Sequence, residues 1–193
     1  MRRWLAPTVV LSVFALTVGR AGQAEATSYK VDPAHSFVMF HVGHLGVGHV
    51  HGRFNEFTGS FSFDPASPAA SAVNMEVKTA SVDTGVEKRD DHLRTADFLE
   101  VEAYPTMTFK STAVSKLTDD IYEVRGDFSL HGVTRPVTAV VVHLGSLQDQ
   151  QGNPRAGFKA NLMIRRSDFG MTKMIPAAGD LVSITIAVEG VGG

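Results

Sequence analysis

Four of the eight histidines fall between positions 41 and 51, at His41, His44, His49 and His51. Residues two apart on a β-strand point the same way, so His49 and His51 offer the geometry of a paired imidazole metal ligand. The same stretch carries Gly43, Gly46 and Gly48, but no Lys-Ser/Thr follows and no helix begins there, so a barrel corner or flexible crossing is expected rather than a phosphate cradle. His35-Ser36 has the composition of a nucleophile pair, yet strand neighbours face opposite ways. Asp90-Asp91 and Asp119-Asp120 read as a solvated helix start and a turn. Arg165 and Arg166 with Asp168 read as an ion pair at a strand end, or as an arginine at a barrel mouth that meets a ligand headgroup.

One catalytic reading survives this pass. The frame Gly43-x5-His49-x-His51-x4-Glu56 resembles the first half of a cupin metal motif, which would make His49, His51 and Glu56 the centre of a metal-dependent enzyme. The motif's trailing glycine is Phe63 here, and no histidine follows Pro176-Ala177-Ala178-Gly179, where its second half would place one.

The elements that must hold these residues are strands. From Tyr29 onward the chain alternates at period two: Val38, Phe40 and Val42 against Phe37, Met39 and His41, then Val50, Gly52 and Phe54. Phe57, Gly59, Phe61 and Phe63 resume in a shifted phase, which predicts a bulge or turn near Asn55-Glu56. Val73 to Val77, Met107 with Phe109, Tyr122 to Leu130, Val137 to Leu144, Phe158 to Ile164 and Val182 to Val188 continue the series. Only Glu87 to Leu99 looks helical, and Pro105 stops any continuation. About eight strands separated by turn signals argue for one antiparallel sandwich or barrel.

The composition narrows the function. The 193 residues hold 18 Lys+Arg against 20 Asp+Glu, a net charge of -2, so no basic footprint for nucleic acid is present. There is no cysteine, which removes disulfides, thiol catalysis and Cys-ligated metal centres. Met1-Arg2-Arg3, an apolar run from Leu5 to Val18 and Ala24-Glu25-Ala26 read as a secretory signal peptide over residues 1–26, cleaved after Ala26 with Ala24 the alternative. Residues 27–193 then form a single exported domain, with no permanent membrane anchor expected. The leader takes the only tryptophan, Trp4, but just Phe14 of the twelve phenylalanines. A chain so biased to Phe is filling something dry.

Several stretches agree on one family. Val31-Asp32-Pro33-Ala34-His35-Ser36, Phe40-His41-Val42-Gly43-His44-Leu45-Gly46, Gly52-Arg53-Phe54 and Phe57-Thr58-Gly59 resemble the opening of YceI-like proteins. Arg89 to Arg94, Asp97-Phe98, Tyr104 to Ser111, Gly126 to Thr134 and Arg166 to Gly170 match later motifs in order. One departure is Gly43, where the family often carries arginine. The resemblance implies an all-β fold with one short helix: an extended, antiparallel, eight-stranded, lipocalin-like β-barrel. It further implies a periplasmic protein that binds a polyisoprenoid or other long-chain lipid without catalysis or cofactor, serves in transport, storage or stress response, and is often a homodimer. The resemblance to lipocalins is architectural, because their Gly-x-Trp signature needs a tryptophan. Under this reading the apolar tunnel is lined by Val38, Phe40, Val42, Phe54, Met75, Met107, Phe109, Phe128, Leu162 and Ile184, with His44 and Arg166 as candidate headgroup contacts. Each inward residue has a second reading as plain core, since side chains alone fill small barrels.

Overall fold

Alternating side chains become strands wherever one face finds a dry partner, and here the partner is the rest of one closed sheet. The computed structural model describes residues 26–193, so the expected leader lies, but for Ala26, outside the described residues. Eleven strands form the sheet: β1 (Thr27–Val31), β2 (Phe37–His44), β3 (Gly48–Phe54), β4 (Phe57–Phe63), β5 (Ala72–Lys78), β6 (Val82–Asp83), β7 (Thr106–Lys116), β8 (Ile121–Leu130), β9 (Val133–Gln148), β10 (Pro154–Arg165) and β11 (Ala178–Gly192). Eight of them close a ring by antiparallel pairing in the order β1-β4-β5-β7-β8-β9-β10-β11, with β11 returning to β1.

The other three strands extend that ring. β1 and β2 lie in succession along β11, β4 and β3 lie along them, and β5 and β6 follow β4 and β3. Each pair is one long strand broken by a local bend. Asp32 Oδ1 accepts the Ala34 N–H in the first bend, and Ser81 receives the Asn55 and Glu56 N–H groups in the second. The phase shift expected at Asn55-Glu56 is this second bend.

The extension beyond the closed ring stays open along one seam, because β6 stops at Asp83 and does not pair with β7. Helix α1 (Glu87–Arg94) and the loop down to Pro105 cover it. Arg94 donates from Nε to Ala80 O and from Nη2 to Val82 O, satisfying carbonyls that a neighbouring strand would otherwise take. The helix is shorter than the expected Glu87 to Leu99: Thr95 turns extended and donates both its N–H and its hydroxyl to His92 O, which ends the helix before Phe98. Asp90 is not solvated as expected but buried, accepting the Thr84 N–H and hydroxyl and so fixing the turn that precedes the helix. The glycine-rich corner is a tight hairpin turn between β2 and β3, with Leu45 and Gly46 both at positive φ.

Candidate functional site

The inward face of the ring does not close onto itself. An inner chamber of about 130 Å³ and an outer one of about 260 Å³ lie within the barrel, where a single water needs only about 10–15 Å³. Val38, Met107, Phe128 and Ile184 line both, so the two chambers meet at a waist formed by these four side chains.

The far end of the inner chamber is plugged by aromatic rings. Tyr29 stacks on Phe61 at 4.9 Å, and Phe158 meets Phe61 and Phe63 edge-on at 5.3 and 4.9 Å. Tyr122, almost fully buried, closes the group against Phe63. Apart from the hydroxyls of Ser62, Ser71, Thr108 and Tyr122, the inner chamber is bordered by aliphatic, aromatic and thioether side chains, and none of them is charged.

The outer chamber differs in chemistry. The β2–β3 hairpin, α1, the loop carrying Phe98 and Leu99, and the segment from Arg166 to Ala178 enclose it. Its ionisable lining residues are His44, Arg89, His92 and Arg166, with no carboxylate among them. Arg166 is buried, and its Nε donates to Gly179 O, Nη1 to Met171 O, and Nη2 to Lys173 O and Ala178 O. Its guanidinium also stands 5.7 Å from the centre of the Phe98 ring. Burial pulls the Arg166 pKa down, with the Asp180 charge opposing it. The expected partnership with Asp168 is absent: Arg165 lies 3.5 Å from Asp180, and Asp168 offers only its backbone carbonyl to Arg135. Register decides this, because β10 and β11 bring Asp180 beside the Arg165-Ser167 corner, where its carboxylate also accepts the Ser167 N–H and hydroxyl.

The sequence pattern of the YceI-like domain matches residues 29–190, which covers every wall of both chambers. The chain belongs to the YceI-like family. It is 44% identical to Protein YceI of Escherichia coli over 180 residues, 92% of this chain and 94% of that one. The crystal structure of BcnA from Burkholderia cenocepacia superposes with a TM-score of 0.76 at 26% identity, covering 82% of this chain and 98% of that one. A polyisoprenoid binding domain from Saccharophagus degradans shares the fold at 16% identity and a TM-score of 0.65, over 86% and 99% of the two chains.

In this YceI-like barrel the residues singled out by alternation are distributed along the axis. Met75, Phe109 and Leu162 border the inner chamber, Phe40, Val42 and Phe54 the outer one, and Val38, Met107, Phe128 and Ile184 the waist between them. His44 is exposed at the outer end, while Arg166 faces the outer chamber with its donors already engaged. Alternation had no means of finding Leu93, Phe98, Leu99, Met171 and Met174, which come from the helix and loops. Their one legible signal is the apolar pair Phe98-Leu99 amid a polar stretch.

The cupin-type trio is not assembled. His49 and His51 lie on β3, whereas Glu56 follows the bend, and none of the three belongs to a cluster of converging metal-ligating atoms among the described residues. Among the described residues, the one trio of His or carboxylate donor atoms within 4.8 Å of one another is Asp32, His35 and Glu189. Arg155 already occupies it, with Nη1 at 2.6 Å from Glu189 Oε1 and 3.4 Å from Asp32 Oδ2. Ser36 is buried and exchanges bonds with the Glu189 backbone, while His35 points to solvent, so the two never face one another.

Proposed function

We propose that this chain is an exported, non-catalytic carrier for a polyisoprenoid or similar long-chain amphiphile, with the tail in the inner chamber and the head in the outer one. The observation that carries this reading is the polarity step along the barrel axis: an uncharged inner chamber, a waist, then an outer chamber whose ionisable lining residues are all basic. Each buried CH2 contributes about 0.8 kcal/mol, so a linear hydrocarbon is retained without any reacting group. Ordering the chain and the protein offsets part of that gain. Phe and Met suit the walls because both are large and Met adapts to an irregular ligand. The polyisoprenoid binding described for the Saccharophagus degradans domain supports the ligand class.

Arg166 contributes charge rather than hydrogen bonds to the head, since its donors are largely spent on backbone carbonyls. His44, Arg89 and His92 are the basic groups nearer solvent. A head bearing phosphate or several acceptor oxygens fits this lining best. In the periplasm, such a protein would move or buffer the lipid between membranes.

Organic extraction of protein purified from its native compartment, followed by mass spectrometry, tests the proposal. A long-chain lipid at near one per chain is expected. Protein that carries none, and takes up none from geranylgeranyl phosphate or the matching alcohol, overturns it. Preference for the phosphate over the alcohol, reduced in His44→Ala, checks the placement of the head.

A further inference from the structure

The outer face of the β2–β3 hairpin carries three imidazoles that lipid binding does not use. His41 is the direct cross-strand partner of His51, and His49 pairs with Gly43, where a Cβ would meet nothing within 4 Å. The missing side chain leaves His49 open space beside His41. Alternation turns these three rings away from the chamber, because the intervening Phe40, Val42 and Val50 line it.

The ring centres of His41 stand 5.2 Å from those of both His49 and His51, and His49 and His51 stand 6.4 Å apart. Two imidazoles on one ion place their ring centres roughly 4.5–6.5 Å apart, given metal–nitrogen distances of about 2.0–2.1 Å. Of the other described histidines, His35 is engaged by Asp32, His92 by Asp97, His131 by Phe169 O and His143 by Ser146, while His44 borders the outer chamber. The rings of His41, His49 and His51 meet one another instead. Their ring nitrogens do not all lie within 4.8 Å of one another in this structure, so holding an ion requires the exposed His49 and His51 and the half-buried His41 to change rotamer. At the next pair along, Arg53 is held by Asp83, which keeps its charge paired beside the cluster.

We propose that His41, His49 and His51 form a surface site for one divalent late transition-metal ion, with water completing the shell. Neutral imidazole is an intermediate-softness ligand that suits copper(II), nickel(II) and zinc(II), and the general affinity order puts copper(II) first. The site is independent of the lipid reading, as it lies on the other face of the same strands.

The test titrates the full chain, stripped with chelator and exchanged into non-coordinating buffer, with copper(II) sulfate and with zinc chloride by calorimetry. Continuous-wave and pulsed electron paramagnetic resonance of the copper form read the ligands. One ion per chain is expected, tighter for copper, with imidazole nitrogen couplings in the spectrum. His49→Gln and His51→Gln should each weaken binding by more than about tenfold, since even supporting groups of a metal site cost that much. His41→Gln should do the same, and both exposed variants keep the test valid if this half-buried one folds poorly. His35→Gln should leave binding unchanged. Absence of stoichiometric binding overturns the proposal, as does binding that survives the triple variant or is lost in His35→Gln.

Discussion

Phe40 lies over the bare α-carbon of Gly52, its partner across the β2–β3 pair: a Cβ added at Gly52 would stand 2.4 Å from Phe40 Cζ. The absent side chain at 52 lets the Phe40 ring lie flat along the outer chamber wall, tilted against Phe54 at 5.4 Å. The same pairing of a large with a missing side chain recurs inside the barrel at Met75 and Gly59, and at Phe61 and Gly190. Alternating large and small inward residues is how a small barrel keeps space along its axis.

Gly52→Ala is therefore expected to push the Phe40 ring into the outer chamber. Overpacking of this kind costs about 1–3 kcal/mol, and the volume open to ligand falls. Chemical denaturation of lipid-free protein reads the first effect, and the amount of lipid recovered by extraction reads the second. An unchanged denaturation midpoint with unchanged lipid loading would mean that the ring has free room elsewhere.

Val38 is nearly fully buried and sits at the waist with Met107, Phe128 and Ile184. Val38→Trp should close the passage and confine ligand to the outer chamber, so extracted chains become shorter while the fold persists. Phe128→Ala works in the opposite sense: it widens the waist, and loss of a buried phenyl costs about 3–5 kcal/mol. Chain-length distributions by mass spectrometry distinguish the two variants, and identical distributions would exclude a shared waist.

Arg166 is buried and donates to four backbone carbonyls. Arg166→Met keeps much of the volume but strands four carbonyl oxygens that now accept its N–H groups. Leaving buried acceptors unmet costs about 1–3 kcal/mol each where water cannot reach them, so the unfolding midpoint should drop sharply. Arg166→Lys, with three donors and no planar fork, should recover only part of the loss. A variant as stable as the parent would show that water replaces the guanidinium.

The bend between β1 and β2 should respond to pH through His35 and Asp32. The His35 side-chain bond to Asp32, followed by the Ala34 N–H, holds the Asp32 carboxyl below its ordinary value. The same bond raises the His35 imidazole above its ordinary value. A raised histidine stabilises fully below its unfolded pKa and loses that effect as pH rises through the folded one. A lowered aspartate does so above its unfolded pKa and loses it as pH falls through the folded one. The bend is thus tightest in mildly acidic solution. NMR titration should give His35 a raised midpoint that returns to the ordinary value in Asp32→Asn; a midpoint indifferent to that change would break the link.

Much of the barrel is legible in the chain because period-two alternation is a local property. The stretch from Val182 to Val188 places Val182, Ile184, Ile186 and Val188 inward without reference to any other strand. The shift of phase at Asn55-Glu56 is equally local, and so is the stop that Pro105 imposes. The helical pattern runs on to Leu99 in the sequence because Phe98 and Leu99 are apolar for a tertiary reason: they roof the outer chamber rather than continue an amphipathic face. The burial of Asp90 has a similar origin, since its partner Thr84 is presented by the turn before the helix.

The sequence by itself determined the antiparallel all-β class, the inward face of each strand, and the ordered motifs that identify the family. Tertiary structure decided what that inward face encloses. Alternation says that Phe40, Phe61, Phe109 and Phe158 are dry, but not that Phe61 and Phe158 plug one end while Phe40 and Phe109 line open space. That distinction depends on which residue lies across the strand pair and on how many strands close the ring. The same holds for the histidines: their spacing nominated His49, His51 and Glu56, whereas cross-strand register brought His41 to the pair and left Glu56 beyond the bend. Register is set by the whole sheet, which no local pattern contains.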